Sequence, residues 1–445
     1  MWFRRDLRTH DHPALRAAIA QSRGGPLLPL FVIDPVEWQE WGEPARAHLT
    51  ASLRALAEDL GGLHVRVGDP VAVLPALAGE LGPLSVHVSA DHAPRVRGRD
   101  AAVAAALVGS GSRLVASGSH YAVPPGTVLK PDRTPYRVFT PFHRAWEAVG
   151  WPPPVPPGPR PRILAVSGAQ SPPPVQLPAG LLLPPAGERA ALAAWRAFAD
   201  GPLAQYDTDR DRPDRPGTSR LSVHLRWGEV HPRTLLAGLG TSRAHVRFRT
   251  ELAWREFYAD VLHRHPETEW ATLDPTFAAM QHDEGPEAEQ AFAAWAHGRT
   301  GYPFVDAGMR QLRAEGWMHN RVRMVVASFL VKDLHLPWRR GAAEFMRWLV
   351  DGDVASNAHG WQWVAGCGTD AAPYIRVFNP VTQGLRFDPE GDYVRRHVPE
   401  LRDLPGAAAH EPWRHPARRR GDYPDRIVDH AEERAEALRR FAAVR

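Results

Sequence analysis

The sequence predicts an α/β domain followed by an all-helical domain, with a long proline-rich linker between them. Short β-rich segments alternate with helical ones in the first part, prolines then cluster, and helical periodicity dominates the remainder. From these three observations we predict domains at residues 1–125 and 188–445 and a linker at 126–187. A chain of 445 residues is long enough for each domain to bury its own core.

Alternation of strands and helices defines the N-terminal domain. After a short first strand at Met1–Phe3, strands are predicted at Leu27–Ile33, Leu63–Val67, Leu84–Ser89 and Arg113–Ser117. The leucines of Ala45–Leu60 recur at helical spacing, and Gly61-Gly62 ends that helix. This order predicts a Rossmann-like, mostly parallel sheet with helices on both faces, although no G-x-G-x-x-G motif follows the first strand.

Proline density defines the linker. Trp151–Pro159 and Ser171–Pro174 contain too many prolines for a regular helix and favour extended polyproline II structure draped over the surface. A ligand for an SH3-type domain is the less favoured interpretation.

Helical patterns return after residue 187. The clearest predicted helices are Glu188–Phe198, Arg249–His263, Pro303–Glu315, Asn320–Leu334, Ala342–Val350 and Ala431–Val444. No long alternating strand pattern interrupts them, so this domain is predicted to be all-α.

Composition limits the class of protein. The net charge is +4, and almost all of the positively charged residues are arginines. This basic surplus permits DNA binding without establishing it. No run of about 18 apolar residues and no apolar leader are present, so we expect neither a membrane span nor secretion. The single cysteine, Cys367, excludes an internal disulfide and fits the cytoplasm, where a buried structural side chain is the simplest role for it.

Five short segments contain side chains that could bind a ligand or take part in catalysis, and each also has a plain structural interpretation. Gly217–Ser222 could hold an anion or simply cap a helix. Glu251–Tyr258 places a carboxylate, an indole and a guanidinium near one helix face, and Gly316–Met324 places two arginines on different faces. Asp351–Asn357 could form an anionic loop but lacks the further ligands of a calcium site, and Trp361–Trp363 suggests packing, stacking or electron transfer.

Together these segments resemble the photolyase/cryptochrome family, most closely the class I cyclobutane pyrimidine dimer photolyases. The similarity begins at Trp2–Arg8, extends to Tyr423-Pro424, and is most specific between Gly301–Pro303 and Pro399–Leu401. That stretch includes Thr369–Tyr374 and Phe378–Pro380. The resemblance implies an N-terminal antenna domain, a linker, a helical FAD-binding domain, and a DNA-repair lyase that uses blue light.

The cofactor implied by the resemblance is FAD, active in its fully reduced anionic form. The positions that match cofactor-binding residues are Tyr206, Thr218, Ser219, Arg220, Leu221, Ser222, Trp317, Asn320, Arg323, Asp351, Asp353 and Asn357. By resemblance, Arg323 pairs with Asp351 near the flavin, and Asn357 faces flavin N5. An amide there accepts a hydrogen bond from N5–H without adding charge, which suits the reduced flavin.

The substrate implied is a pyrimidine dimer flipped out of DNA, as photolyases are known to do. The matching substrate residues are Glu251, Trp254, Asn320, Met324 and Trp363, and the matching phosphate contacts are Arg210, Arg255 and Arg321. Members that repair (6-4) lesions carry a histidine pair at the positions of Asn320 and Met324, so these two residues favour cyclobutane dimers.

Two departures from the family pattern leave questions open. Trp361 and Trp338 match the first two members of an electron-transfer chain, but no tryptophan occurs at Phe277–Pro286 for the third. Trp270, Trp295 or Tyr374 could take that place. Val96 stands near the position of an acidic ligand to a folate antenna, so a deazaflavin, another chromophore or no antenna remain the alternatives.

The alternative function is a cryptochrome, a light receptor on the same fold. Asn357 and the absence of a long extension after Tyr423 favour repair. We expect a monomer whose partner is damaged DNA, without a metal site, because His263-Arg264-His265 has no cysteine partners and no H-E-x-x-H motif is present.

Overall fold

A computed structural model describes residues 1–370, 375–415 and 422–444. The chain packs into two compact units. The first unit comprises Met1–Pro178, Leu183–Ala204 and Ser219–Pro266, and the second comprises Ala179–Leu182, Gln205–Thr218 and Glu267–Arg445. Grouping by contact thus differs from the boundaries expected from sequence, because several helices after residue 187 pack with the α/β region.

The first unit is built on parallel strands in the order of a doubly wound fold. The strands are β1 (Trp2–Phe3), β2 (Leu30–Ile33), β3 (His64–Val67), β4 (Ser85–Val88) and β5 (Arg113–Ala116). Strands β1, β2 and β3 form one parallel sheet, β4 and β5 form another, and β1 lies beside β4. The spatial order is therefore 3-2-1-4-5, which confirms the predicted Rossmann-like arrangement.

Helices cover this sheet and extend the unit. They are α1 (Pro13–Ser22), α2 (Pro35–Glu40), α3 (Glu43–Leu60), α4 (Pro70–Leu81), α5 (Pro94–Val108), α6 (Phe139–Val149), α7 (Glu188–Ala199), α9 (Ser222–Trp227), α10 (Pro232–Ala237) and α11 (Arg243–Arg264). Helix α3 ends where the sequence predicted, because Gly61 adopts φ 85°, which a residue with a Cβ avoids. Helix α11 begins earlier than predicted, because the Ser242 side chain caps it by accepting from the His245 amide.

Interlocking apolar side chains form the core between strands and helices of the first unit. Trp2, Leu30, Leu74, Val88 and Leu107 all belong to it. Each comes from a different strand or helix, so burial of this cluster ties the alternating segments into one layered structure.

The proline-rich stretch is extended and follows the surface of the first unit. Leu27 donates to the carbonyl of Arg162 at 2.7 Å, and Leu164 donates to that of Leu27 at 2.8 Å. Further along, Gln170 donates to the carbonyl of Val65 at 2.8 Å. Residues 150–187 contain no helix, as the prolines predicted, whereas α6 occupies part of the predicted linker before them.

The described part of the second unit is helical. Its helices are α8 (Tyr206–Asp209), α12 (Pro286–Ala296), α13 (Pro303–Glu315), α14 (Asn320–Lys332), α15 (Trp338–Trp348), α16 (Val354–Ala365), α17 (Pro380–Phe387), α18 (Asp392–His397) and α19 (His430–Ala443). Short 3-10 helices complete the chain at Pro202–Gln205, Pro266–Glu269, Pro275–Ala279, Pro399–Leu401, Gly406–His410 and Pro412–Arg414.

Helices α13 to α16 surround a single apolar core. Helix α13 has the bounds predicted from sequence, with a proline at its first turn and Gly316 at φ 61° after its end. Its buried Met309 and Leu312 join Val326, Phe345 and other side chains of the neighbouring helices. Among the helices of the described residues, none combines the length and the apolar character needed to cross a membrane.

Candidate functional site

An ion pair at the centre of the second unit joins α14 to the loop before α16. Nη2 of Arg323 lies 2.7 Å from Oδ2 of Asp351, and Nε donates to the carbonyl of Met318 at 2.8 Å. The Asp351 side chain is only 2% exposed, so the arginine neutralises a buried charge. The pairing expected from sequence is therefore confirmed.

The second oxygen of Asp351 has a different environment. Oδ1 is buried and has no hydrogen-bond partner in the described part of the chain. A buried acceptor left unpaired is costly, and a bound molecule with an N–H or O–H donor would satisfy it. This orphaned oxygen fits a cofactor that presents a polar edge.

Two polar side chains at the start of α16 have defined orientations. Oδ1 of Asp353 accepts from the Ser356 amide at 3.0 Å and so caps the helix. Nδ2 of Asn357 donates to the carbonyl of Ala342 at 3.0 Å. That bond uses one of the two N–H groups of the amide, and the Asn357 oxygen is the side-chain atom that can accept a hydrogen bond from a ligand.

Two predicted phosphate contacts share one acidic neighbour. Nη2 of Arg321 lies 3.0 Å from Oδ1 of Asp211, and Nε of Arg210 lies 3.7 Å from the same oxygen. Asp211 thus holds two guanidinium groups close together and leaves a net positive charge, which favours a phosphate. Sequence reasoning missed Asp211, although its position directly after Arg210 was a signal.

The face of α14 near Arg321 carries the two residues expected to read the lesion. Asn320 is exposed at the first position of the helix, and the sulfur of Met324 lies 3.7 Å from Nη1 of Arg321. The preceding Trp317 is buried and meets the ring of His319 edge-on at 6.3 Å.

His319 caps α14 and is buried. Nδ1 accepts from the Arg321 amide at 3.1 Å, and burial lowers the pKa of His319 to about 4. The imidazole is consequently neutral near pH 7, and it occupies a structural position one residue before Asn320. Its presence does not supply the proton-donating histidine of a (6-4) site.

The segment Gly217–Ser222, predicted to bind phosphate, is shaped by a close approach of two backbone segments. A Cβ on Gly217 would lie 2.7 Å from the carbonyl oxygen of Asp209, so no larger residue fits without a shift. Thr218 follows in the second unit, where Tyr206 is buried beneath the guanidinium of Arg210 at 5.8 Å. Thr218 therefore directly follows a constrained glycine, whereas Tyr206 lies at the first position of α8.

The remainder of that motif belongs to the first unit. Ser219 Oγ accepts from the Leu221 amide at 3.3 Å, while Arg220 has φ 52° and is exposed. Leu221 is buried and anchors the segment, and the Ser222 residue is exposed at the start of α9. Exposed polar groups on an anchored turn fit an anionic ligand.

Three predicted substrate and DNA residues lie on α11 of the first unit. The Glu251 side chain is 26% exposed and lies 3.7 Å from Nε of Arg247. The half-buried Trp254 stacks on Phe139 with ring centroids 3.7 Å apart.

Arg255 is engaged within the first unit. Its guanidinium donates to the carbonyls of His120 and Leu225 and lies 4.6 Å above the ring of Tyr121. The structure thus gives Arg255 an internal role and adds no support for the expected phosphate contact.

A buried carboxylate on the same helix escaped sequence reasoning. Glu256 accepts from the amides of Ala122 and Val123 and, at 2.6 Å, from Nε1 of Trp146. Burial raises the pKa of Glu256 even though these donors oppose the rise. The sequence shows that Glu256 is acidic and falls on the apolar side of a predicted helix, but it does not show which groups donate hydrogen bonds to it.

The predicted electron-transfer tryptophans, Trp361 and Trp338, lie in the apolar core of the second unit. The ring of Trp361 is 4.9 Å from Phe345 and 6.1 Å from Trp295, and its Nε1 has no hydrogen-bond partner in the described residues. Trp338 is buried at the first position of α15, and the half-buried Trp363 packs against the core.

Among the candidates for an outer member that the structure describes, Trp295 lies beside Trp361, with ring centroids 6.1 Å apart. It is fully buried, and its Nε1 donates to the carbonyl of Val326 at 3.1 Å. Trp270 is 59% exposed, and its carbonyl accepts from Arg339 at 2.9 Å. Tyr374 and the adjoining residues 371–373 lie outside the described residues.

Comparison with known proteins identifies the family. Residues 1–161 match the family described as DNA photolyase, and residues 248–443 match the FAD binding domain of DNA photolyase. The chain belongs to the DNA photolyase family. The FAD-binding domain supports the cofactor that the family resemblance implies.

Relatives are similar over the whole chain. The deoxyribodipyrimidine photo-lyase of Halobacterium salinarum is 41% identical over 100% of this chain and 98% of its own length. That of Escherichia coli is 38% identical with the same coverage of both chains. The similarity therefore includes every segment named above.

Solved structures of photolyases and of a cryptochrome share the fold. A class III photolyase from Agrobacterium tumefaciens gives a TM-score of 0.89 at 36% identity, covering 100% of this chain and 96% of that one. A cryptochrome from Synechocystis gives 0.88 at 28% identity, covering 98% of both chains. An archaeal photolyase from Sulfolobus tokodaii, solved with two FAD molecules, gives 0.85 at 27% identity and covers 99% of both.

Proposed function

We propose that this photolyase repairs cyclobutane pyrimidine dimers in DNA under blue light with reduced FAD. The observation that carries the proposal is the orientation of Asn357, whose amide nitrogen is used by Ala342. The remaining oxygen is suited to accept from a reduced flavin N5–H. An acid at this position would instead favour the one-electron-oxidised neutral form.

Bound reduced FAD supplies light-driven donation of an electron to the dimer. In the second unit, Arg323 neutralises Asp351, and the free Asp351 oxygen is available to a flavin donor. Asp353 is proposed to contact the polar edge of the flavin, while Tyr206 and Thr218 hold its phosphates. Ser219, Arg220, Leu221 and Ser222 match phosphate-binding positions of the family, and the same role is proposed for them on that ground.

The dimer is proposed to lie against aromatic and polar side chains. Glu251 would bind the polar edge of the pyrimidines, and Trp254 and Trp363 would stack on apolar parts of the lesion, since indole rings stack well on bases. Asn320 and Met324 would line the pocket. With His319 buried and neutral, no acid–base histidine is supplied from that segment, which supports cyclobutane rather than (6-4) lesions.

DNA phosphates are proposed to bind the two guanidinium groups held by Asp211. Arg210 and Arg321 are close enough to this carboxylate to act as one positive patch. Replacing either arginine should weaken binding of damaged and undamaged DNA alike and reduce the salt dependence of binding. We also propose that the protein acts as a monomer in the cytoplasm; its single cysteine is free and buried, which fits that reducing compartment.

The direct test uses an oligonucleotide that carries one thymine dimer. Photoreduced holoprotein should restore thymine absorbance under blue light and not in darkness. Glu251→Ala and Trp254→Ala should lose most of that activity while retaining FAD, whereas the exposed Glu58→Ala on α3 should not change it. Absence of repair by FAD-loaded, reduced protein would reject the proposal.

The second candidate function is that of a light receptor. It is favoured by the structural similarity to the Synechocystis cryptochrome. A chain that binds FAD and undergoes photoreduction, but neither repairs thymine dimers nor prefers DNA that contains them, would fit this alternative.

A further inference from the structure

A column of aromatic rings leads from α11 into α6 within the first unit. Trp254 and Phe139 stack with centroids 3.7 Å apart and planes 8° apart. Phe139 then stacks on His143 at 5.5 Å and 15°, and His143 on Trp146 at 6.0 Å and 21°. Because Phe139, His143 and Trp146 recur at helical spacing, their rings form a row along one side of α6, and Phe139 is the member of that row that stacks on Trp254.

A buried carboxylate fixes α6 against α11. Trp146, at the far end of the column, donates from Nε1 to Glu256 at 2.6 Å, and Glu256 lies on the same helix as Trp254. Phe142 packs against Phe257 at 4.9 Å on the adjoining side of the two helices. The two helices are thus held together by a charge-assisted hydrogen bond and by apolar contact.

The stacking geometry shows that packing imposes the orientation of the two rings. Free aromatic pairs prefer offset or edge-to-face arrangements, and a centroid separation of 3.7 Å at 8° leaves little room for an offset. Phe139 is only 7% exposed, so its ring has little freedom to move. The indole of Trp254 therefore has one face covered and its tilt fixed by α6.

We propose that Phe139 is a positioning residue for lesion recognition, acting through Trp254. This inference rests on the proposed function, in which Trp254 stacks on the dimer. A planar indole offers two faces. Phe139 covers one of them, and the other is the face proposed for the substrate. Since the ring is oriented before substrate arrives, binding would not have to order it, and this pre-organisation favours affinity for the dimer.

The test compares two phenylalanines of the same helix. Phe139→Leu keeps an apolar side chain but removes the flat ring behind Trp254, whereas Phe142→Leu makes the same change at a site packed on Phe257. Both variants are purified with FAD bound, and their dissociation constants are measured for a dimer-containing oligonucleotide and for its undamaged counterpart.

We expect Phe139→Leu to weaken binding of the dimer by about three- to tenfold and to leave binding of undamaged DNA unchanged, given the worth of one aromatic stack. Phe139→Tyr should restore the preference. Phe142→Leu should lower the thermal midpoint but keep the wild-type preference. A preference in Phe139→Leu equal to that of the wild type would overturn the inference.

A double-mutant cycle distinguishes positioning from general destabilisation. In a Trp254→Ala background, Phe139→Leu should change dimer affinity by less than about twofold, because the indole that Phe139 orients is absent. An undiminished effect in that background would refute action through Trp254. Failure of the wild type to prefer or repair dimers would instead reject the proposed function, so the two failures are separable.

Discussion

Gly341 in α15 gives a quantitative test of how the Trp361 ring is packed. In most helices, replacing an interior glycine by alanine stabilises by about 0.5–1 kcal/mol. At Gly341, however, a Cβ would lie 2.1 Å from Cη2 of Trp361 and 2.5 Å from Cδ2 of Leu330. Carbon atoms in contact prefer about 3.5–4.0 Å, so one of these groups must move by more than about 1 Å.

The surroundings leave no room for such a movement. Trp361 is 2% exposed and Leu330 is fully buried, so overpacking should cost about 1–3 kcal/mol and outweigh the gain in helix propensity. We expect Gly341→Ala to lower the free energy of unfolding by about 1–2 kcal/mol. Because the displaced ring is a proposed electron carrier, flavin photoreduction should also slow.

Gly360 in α16 provides the matched control. A Cβ there meets no atom within 4 Å, so Gly360→Ala should stabilise by about 0.5–1 kcal/mol. Urea unfolding of both variants at equal protein and FAD concentrations gives the comparison. Equal stability of the two variants would refute the packing of Trp361 against Gly341.

Three further predictions concern charge and electron transfer. Arg323→Ala leaves the buried Asp351 unpaired and should cost about 3 kcal/mol in urea unfolding, with loss of FAD; an unchanged midpoint would contradict this. Burial alone raises the pKa of Glu229, but contacts from two histidines outweigh burial and lower it to about 2. The stabilisation of the fold by ionised Glu229 is therefore complete above pH 4.5 and is lost as pH falls toward 2. Glu229→Gln should lower the free energy of unfolding by about 2–3 kcal/mol at pH 7 and by almost nothing near pH 2. A loss of stability that does not change with pH would contradict this prediction. Trp295→Phe should slow flavin photoreduction several-fold, measured by flavin absorbance, because its ring adjoins Trp361; wild-type rates would exclude Trp295 from the path.

Local sequence patterns predicted most of the secondary structure correctly. The strand cores fell within the predicted segments, and α13 has the predicted bounds because Pro303 starts it and Gly316 ends it. The pairing of Arg323 with Asp351 was implied by the family resemblance. The limits of the strands and helices depend on neighbours in sequence, so they are readable without tertiary structure.

Other features depend on partners that are distant in the chain. Helix α10 joins the first unit because Arg233 binds Asp11 across 222 positions, and Glu229 contacts Ser52 across 177. Periodicity shows that a side is buried but does not identify what covers it. For the same reason, the grouping of helices after residue 187 with the α/β region was not predictable from the pattern.

The sequence by itself determined the order of elements, the family and the residue types available for catalysis. Only the tertiary structure decided that Arg255 donates to the carbonyls of His120 and Leu225, that Phe139 stacks on Trp254, and that the Asn357 amide donates to Ala342. Each of these depends on a contact whose direction in space is set by helix packing, and a one-dimensional pattern of polar and apolar residues does not contain that direction.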